Sequence, residues 1–299
     1  MRLYFDCVPC TVQQLTNAVQ RFITDEQEQY RILGDAMNGF HGQIHKNTCS
    51  PILTAGFYEK IKAATGTDDL YAAEKELFNR EMLHLEEDFR RLIEDSDDPV
   101  KKAVCLSAAA NIIDFGILGD VNKQMARKVI LEKANTNREY PDLERLKGEL
   151  AAAKTLLYIG DNCGEIVLDK LVLETIRRYY PQVEITFAVR SAPILNDVTE
   201  KEAYEVGIGQ YAKIISSGST IPGTVLSQCT PEFNQRYRDS DVIILKGMGN
   251  IETAAEDERK AYFIFMVKCD FMSRHLKADL QDIFITKGNY LYRKNRIRD

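Results

Sequence analysis

At 299 residues the chain exceeds one ordinary domain, which predicts two domains or one elaborated domain. A net charge of −6 argues against general nucleic-acid binding, and the short basic tail Arg293-Lys294-Asn295-Arg296-Ile297-Arg298 does not reverse it. No apolar run reaches the roughly 18 residues of a membrane span, and Met1-Arg2-Leu3-Tyr4-Phe5-Asp6 has no signal-peptide core. A cytoplasmic protein is expected, with no membrane partner and seven reduced cysteines.

The first half reads as helical. Gln13, Leu15, Val19 and Phe22 mark one amphipathic helix, and Tyr30, Leu33, Met37 and Phe40 a second, capped at Thr24-Asp25. Ser50-Pro51 opens a third, since a helix start tolerates proline. A long charge-laced helix is expected from Asp69 to about Glu94, and Asp97-Asp98-Pro99 caps an alanine-rich one. Two more amphipathic pieces fall near Val121–Ala134 and Asp142–Ala153.

Past that point the period changes. Thr155–Ile159, Val183–Val189, Lys213–Ser216, Val242–Leu245, Tyr262–Val267 and Ile283–Ile285 read as strands, separated by helical or irregular polar segments. The alternation predicts an α/β core with a mostly parallel sheet. The boundary is placed at residue 152: a helical region over 1–152, acting as a lid or cover, and an α/β/α core over 153–299.

Polar clusters stand at the strand ends, where open parallel sheets bind ligands. After the first strand comes Gly160-Asp161-Asn162-Cys163-Gly164-Glu165, which places a carboxylate beside an amide oxygen and suits a hard divalent cation better than a dinucleotide. Asn196-Asp197 follows the second strand, and Asp197 reaches the same cation if the two strands are neighbours. Three oxygen ligands leave room for water and a substrate phosphate around Mg²⁺ or Mn²⁺. Lys246-Gly247-Met248-Gly249-Asn250 after the fourth strand combines a cation with backbone amides, and Lys268 ends the fifth, so both suit an anion. Metal on one side and cations on the other is what phosphate-ester cleavage needs.

Asp161-Asn162-x-Gly164-Glu165, Asn196-Asp197-Val198-Thr199, Lys246-Gly247-x-Gly249-Asn250 and Lys268-Cys269, in that order, resemble the metal-dependent damage-control phosphatase family. That family was once catalogued as a domain of unknown function and is related to acidic-residue methyltransferase-like proteins. Cys7-x-x-Cys10 and Asn111-Ile112-Ile113-Asp114 look like its prokaryotic branch, so the likeness spans almost the whole chain. The resemblance implies a helical region packed on a Rossmann-like core. It implies a divalent ion (Mn²⁺, Co²⁺, Ni²⁺ or Mg²⁺) held by Asp161, Asn162 and Asp197. Substrate phosphate would meet the 246–250 loop, including Gly247, Gly249 and Asn250, and Lys268. The implied substrates are sugar phosphates and damaged or surplus phosphometabolites. Asp161, Asn162, Asp197 and Lys246 would carry the chemistry.

Asn111 and Asp114 share a helix face and are read as substrate contacts; Glu165 either orients a metal-bound water or favours its helix N-terminus. Cys7 and Cys10 have metal or redox spacing, with His41, His45 and Cys49 the nearest candidates for a zinc set, but there is no second CxxC. Two rival functions stand beside the phosphatase. An S-adenosylmethionine-dependent carboxyl methyltransferase would want an acidic residue where the second strand ends in Arg190. A non-catalytic phosphometabolite-binding module would bind without turnover.

Overall fold

Side-chain alternation along the strands sorts the two faces of one sheet. In β1 (Thr155–Ile159), Leu156 and Tyr158 enter one core while Leu157 and Ile159 enter another. β5 (Ala261–Met266) does the same with Tyr262, Ile264 and Met266 against Phe263 and Phe265. Period-two alternation that is apolar on both sides is what a strand covered on both faces requires. The computed structural model that shows this describes residues 3–45, 48–112, 123–135, 138–254 and 261–288.

The remaining strands are β2 (Glu184–Val189), β3 (Lys213–Ser216), β4 (Val242–Lys246) and β6 (Ile283–Lys287). Their spatial order is β3-β2-β1-β4-β5-β6, with every neighbouring pair parallel except β5–β6. β1 sits beside both β2 and β4, so the chain leaves it in one direction and later returns on its other side. That reversal is the topological switch point, and the loops after β1 and β4 open side by side there.

One face carries α4 (Ala72–Glu94), α5 (Pro99–Ala110), α6 (Lys123–Ala134), α7 (Pro141–Ala152) and α8 (Glu165–Tyr179). Leu85, Phe89, Leu106, Leu146, Leu171 and Tyr158 share that core, so the alanine-rich α5 packs closely onto α8. The opposite face carries α10 (Pro231–Asp239), α11 (Met248–Ala254) and α12 (Asp270–Leu276) through Phe233, Ile251 and Met272. A third cluster joins α1 (Cys7–Phe22), α2 (Glu26–His41) and α3 (Ser50–Thr65), and it reaches the sheet's ligand edge through Ile194. The fold is the mixed α/β type expected, with a six-stranded, mostly parallel sheet and packed helices.

The caps follow the sequence. The Asp25 side chain accepts from Glu28 N, and Asp98 accepts from Lys101 N. α9 (Glu200–Val206) starts in a capping box between Thr199 and Glu202. Lys75, almost fully buried on α4, pairs with both Asp69 and Glu202 at 2.7 Å, tying the helical half to the helix that follows Asp197. α1 begins at Cys7 rather than near Gln13, and α4 at Ala72 rather than Asp69, whose carboxylate accepts from Tyr71 N and ends the preceding turn. None of the described helices is long and apolar enough to cross a membrane.

Candidate active site

Two loops are stitched together where β1 and β2 run out. Val198 N donates to Asp161 O at 2.9 Å and Cys163 N to Asn196 O at 2.8 Å, and Asn162 and Asp197 form an isolated antiparallel bridge. The turn into this bridge is tight: Asp197 N donates to Ile194 O, and Leu195 takes a φ of 48°, a conformation a bulky side chain avoids. Ile194 and Leu195 pack into the α1–α3 cluster, which holds that turn in place. Asp161, Asn162 and Asp197 are therefore brought to one spot, and all three are buried.

Their side chains are organised from α5 and α8. Asn111, directly after α5 and fully buried, donates through Nδ2 to Asp161 Oδ2 (3.0 Å) and Glu165 Oε2 (2.5 Å). Asn162 Nδ2 donates to the same Asp161 oxygen at 2.6 Å. Across the switch point Gly247 lies against that carboxylate. A Cβ at 247 would fall 1.7 Å from Asp161 Oδ2, and its φ of 79° already favours glycine. Gly247→Ala is expected to displace the Asp161 carboxylate and to destabilise the protein by about 1–3 kcal/mol. Denaturant unfolding reads this, and wild-type stability would show that the carboxylate has another place to sit.

The electrostatics are unusual for apposed carboxylates. Burial, reinforced by the Asp197 charge, pushes Asp161 up to about 6, even though Lys268 and Arg190 pull the other way. Burial pushes Glu165 up to about 7, against the attraction of Lys246. Asp197 is likewise raised by burial, opposed by Arg190, whose Nε donates to Asp197 Oδ2 at 2.7 Å. Burial thus disfavours the charged form of each of these acids, and a nearby cation favours it.

Lys246 does not face the cleft. Its ammonium is fully buried and donates to Glu165 Oε1 (2.5 Å), Asp169 Oδ1 (2.6 Å) and Ser107 Oγ (2.5 Å). Burial alone would discharge it, but Asp169 and Glu165 outweigh that and hold it charged. Asp169 Oδ1 also accepts from Ser107 Oγ and Tyr158 OH. Asn250 is committed too: Nδ2 donates to Lys246 O and Oδ1 accepts from Thr224 Oγ1. Gly249 lies so close to the Pro222 carbonyl that a Cβ would come within 2.2 Å of it, so the segment after β3 closes directly onto this loop. Lys268 is half-buried, with its charge within reach of Asp161. Asp114 lies outside the described residues.

Sequence reasoning passed over Asp169, Ser107, Tyr158 and, as a site residue, Arg190. A signal existed for the first: Glu165 and Asp169 are four apart on α8, so two acids share a face among the apolar Ile166, Val167, Leu168, Leu171 and Val172. Ser107 and Tyr158 carry no such mark, because their role depends on α5 crossing α8 over β1.

Cys7 and Cys10 lie near Cys269 and Glu252 rather than with His41 and His45, which are exposed. Burial pushes the Cys7 thiol up to about 11, opposite to a reactive thiolate. Among the described residues no three His, Cys, Asp or Glu side chains gather as a metal centre.

Fold and site together define an α/β protein with a buried acid–amide cluster at the switch point of a doubly wound sheet. The damage-control phosphatase ARMT1-like domain matches residues 4–283, and the chain belongs to that family. It is 28% identical, over the full length of both chains, to a damage-control phosphatase of Pyrococcus horikoshii. It is 29% identical to one of Archaeoglobus fulgidus over 77% of this chain and 80% of that one. An uncharacterised protein of Methanocaldococcus jannaschii is 30% identical over 94% of each. Among solved structures, a DUF89 family protein of P. horikoshii superposes with a TM-score of 0.88 over 96% of this chain and 99% of that one, at 24% identity. Relatives with these names support a phosphatase-type role.

Proposed function

We propose that this chain is a divalent-metal-dependent phosphatase that hydrolyses small phosphorylated metabolites, sugar phosphates or damaged and surplus phosphometabolites. The observation that carries it is the Asn162–Asp197 bridge, which turns ligand candidates from two loops into one cluster. The residues fit a hard cation. Asp161, Asp197, Glu165 and Asp169 are buried carboxylates, against Lys246 and Arg190 as buried cations. A surplus of buried carboxylates over buried cations suits a divalent ion, Mn²⁺, Co²⁺, Ni²⁺ or Mg²⁺. Asn111 Oδ1, buried and without a partner among the described residues, adds an unsatisfied acceptor beside Asp161.

Asp161, Asn162 and Asp197 would hold the ion. When bound, it would polarise a phosphoryl oxygen and make an attacking oxygen available. Asn111 aims the Asp161 carboxylate, and Glu165 is kept in place by Lys246 on one oxygen and Asn111 on the other. Lys268, whose charge acts on Asp161, would offset charge on the transferring group. Lys246 thus acts as a positioning residue, with no direct reach to phosphate. The helical half is proposed as the cover: the α1–α3 cluster braces the 194–197 turn, and α5 supplies Asn111. The methyltransferase rival is disfavoured because β2 is followed by Arg190, paired to Asp197, where an acidic ribose partner would stand.

A panel of phosphometabolites assayed with each of the four ions tests the reading. Orthophosphate release that needs a divalent ion is expected. Tight binding of ion and metabolite with no release under any condition would make the chain a binding module instead.

Linkage gives a second expectation. Asp161 and Glu165 are raised above their unfolded values of 3.8 and 4.5, so their contribution to stability is full below those values. In the metal-free protein it is lost as pH rises through about 6 to 7. Added Mn²⁺ should therefore raise the melting temperature more at about pH 8 than at about pH 5. Equal increments at both would contradict the assignment of these acids to the ion.

A further inference from the structure

Arg190 directly follows β2 at the ligand edge of the sheet and is 1% exposed. Its Nε is committed to Asp197, and its charge reaches Asp161. Nη1 and Nη2 are buried and have no hydrogen-bond partner among the described residues. A guanidinium cannot shed its proton at working pH, so two bare donors on a buried cation are a lasting cost unless something completes them.

The surroundings have a consistent polarity. Asn196 Nδ2, beside Asp197 on the same loop, is also buried without a partner. The unsatisfied groups on this loop are thus all donors. The unsatisfied groups contributed from the ends of α5 and α8, Asn111 Oδ1 and Asp169 Oδ2, are acceptors. Acceptors call for a cation and donors for an anion, and Asp197 is the acid bonded to the donor side. Ser191, the next residue, is solvent-exposed, so the chain reaches the surface directly after Arg190.

We propose that Arg190 binds two oxygens of the substrate's phosphoryl group through Nη1 and Nη2, next to the cation held at Asp197. The proposal rests on the phosphatase reading above and adds a substrate-binding residue to it. The planar fork of Arg190 matches two oxygens of a tetrahedral oxyanion, and the Nε–Asp197 bond fixes its plane in advance. One residue then serves both partners, orienting a metal ligand with one nitrogen and gripping phosphate with the other two.

The probe is inorganic phosphate, titrated calorimetrically into protein saturated with Mn²⁺, with Mn²⁺ affinity measured separately. Arg190→Gln and Arg190→Lys are each expected to weaken phosphate binding by about tenfold or more. Because Nε orients Asp197, Mn²⁺ affinity is also expected to fall, so phosphate is titrated at Mn²⁺ concentrations that saturate each variant. Unchanged phosphate affinity would overturn the proposal, as would a fall explained wholly by lost Mn²⁺. Should both variants fail to fold, a crystal structure of the wild-type protein with Mn²⁺ and phosphate decides. Phosphate oxygens within hydrogen-bond distance of Nη1 and Nη2 support the site, and an anion bound elsewhere removes it. Phosphate gripped by Arg190 in a protein that hydrolyses nothing would sink the hydrolase reading alone. Metal-dependent turnover with phosphate affinity indifferent to Arg190 would sink this site alone.

Discussion

Asp161→Ala is expected to abolish metal-stimulated hydrolysis of a phosphomonoester, a loss of about a thousandfold or more, while the protein stays folded. The magnitude follows from removing a metal ligand worth several kcal/mol at the transition state. Retention of the fold follows from the electrostatics: burial and the Asp197 charge already push Asp161 up to about 6, so the ionised side chain is a burden without a cation. The variant should melt no lower than wild type when both are metal-free at neutral pH, and it should lose the stabilisation that Mn²⁺ confers. Full activity in the variant would remove Asp161 from the site.

Lys246→Met is expected to act on stability first. The ammonium is fully buried between Glu165 and Asp169, and its loss leaves two carboxylates in a dry interior with no cation. Breaking one side of a buried pair costs about 3–5 kcal/mol. Denaturant unfolding reads this directly. Adding Asp169→Asn to the same chain should restore part of the loss, because the orphaned charge is then gone. A Lys246→Met protein of wild-type stability but weakened phosphate affinity would return Lys246 to the substrate-facing role its place in Lys246-Gly247-x-Gly249-Asn250 suggests.

That contrast shows what a sequence can and cannot carry. The six strands were legible because each is a short apolar run ending in polar or glycine residues, and period-two burial on a two-sided sheet leaves that imprint. The candidate cluster was legible because strand ends define a ligand edge, and β1 and β2 prove to be neighbours in register from Thr155–Glu184 onward. The direction of a side chain was not legible. Lys246 is the last residue of β4, and residues on a strand alternate between faces. Whether its long stem turns out toward phosphate or under α8 depends on the Glu165–Asp169 pair, which is far away in sequence. The hydrogen bonds of Asn250 were hidden for the same reason, since its partner Thr224 belongs to a segment that reaches it only by closing onto Gly249. Arg190 was noticed only as the wrong residue for a ribose, because nothing local reveals that Asp197 uses just one of its three nitrogens.

The most direct measurement is a crystal of the protein soaked in Mn²⁺ and recorded at the manganese absorption edge. The account predicts a single strong anomalous peak bonded to carboxylate or amide oxygens of Asp161, Asn162 and Asp197, absent from the Asp161→Ala crystal. A manganese ion lodged elsewhere, or no peak at saturating concentration, would contradict it.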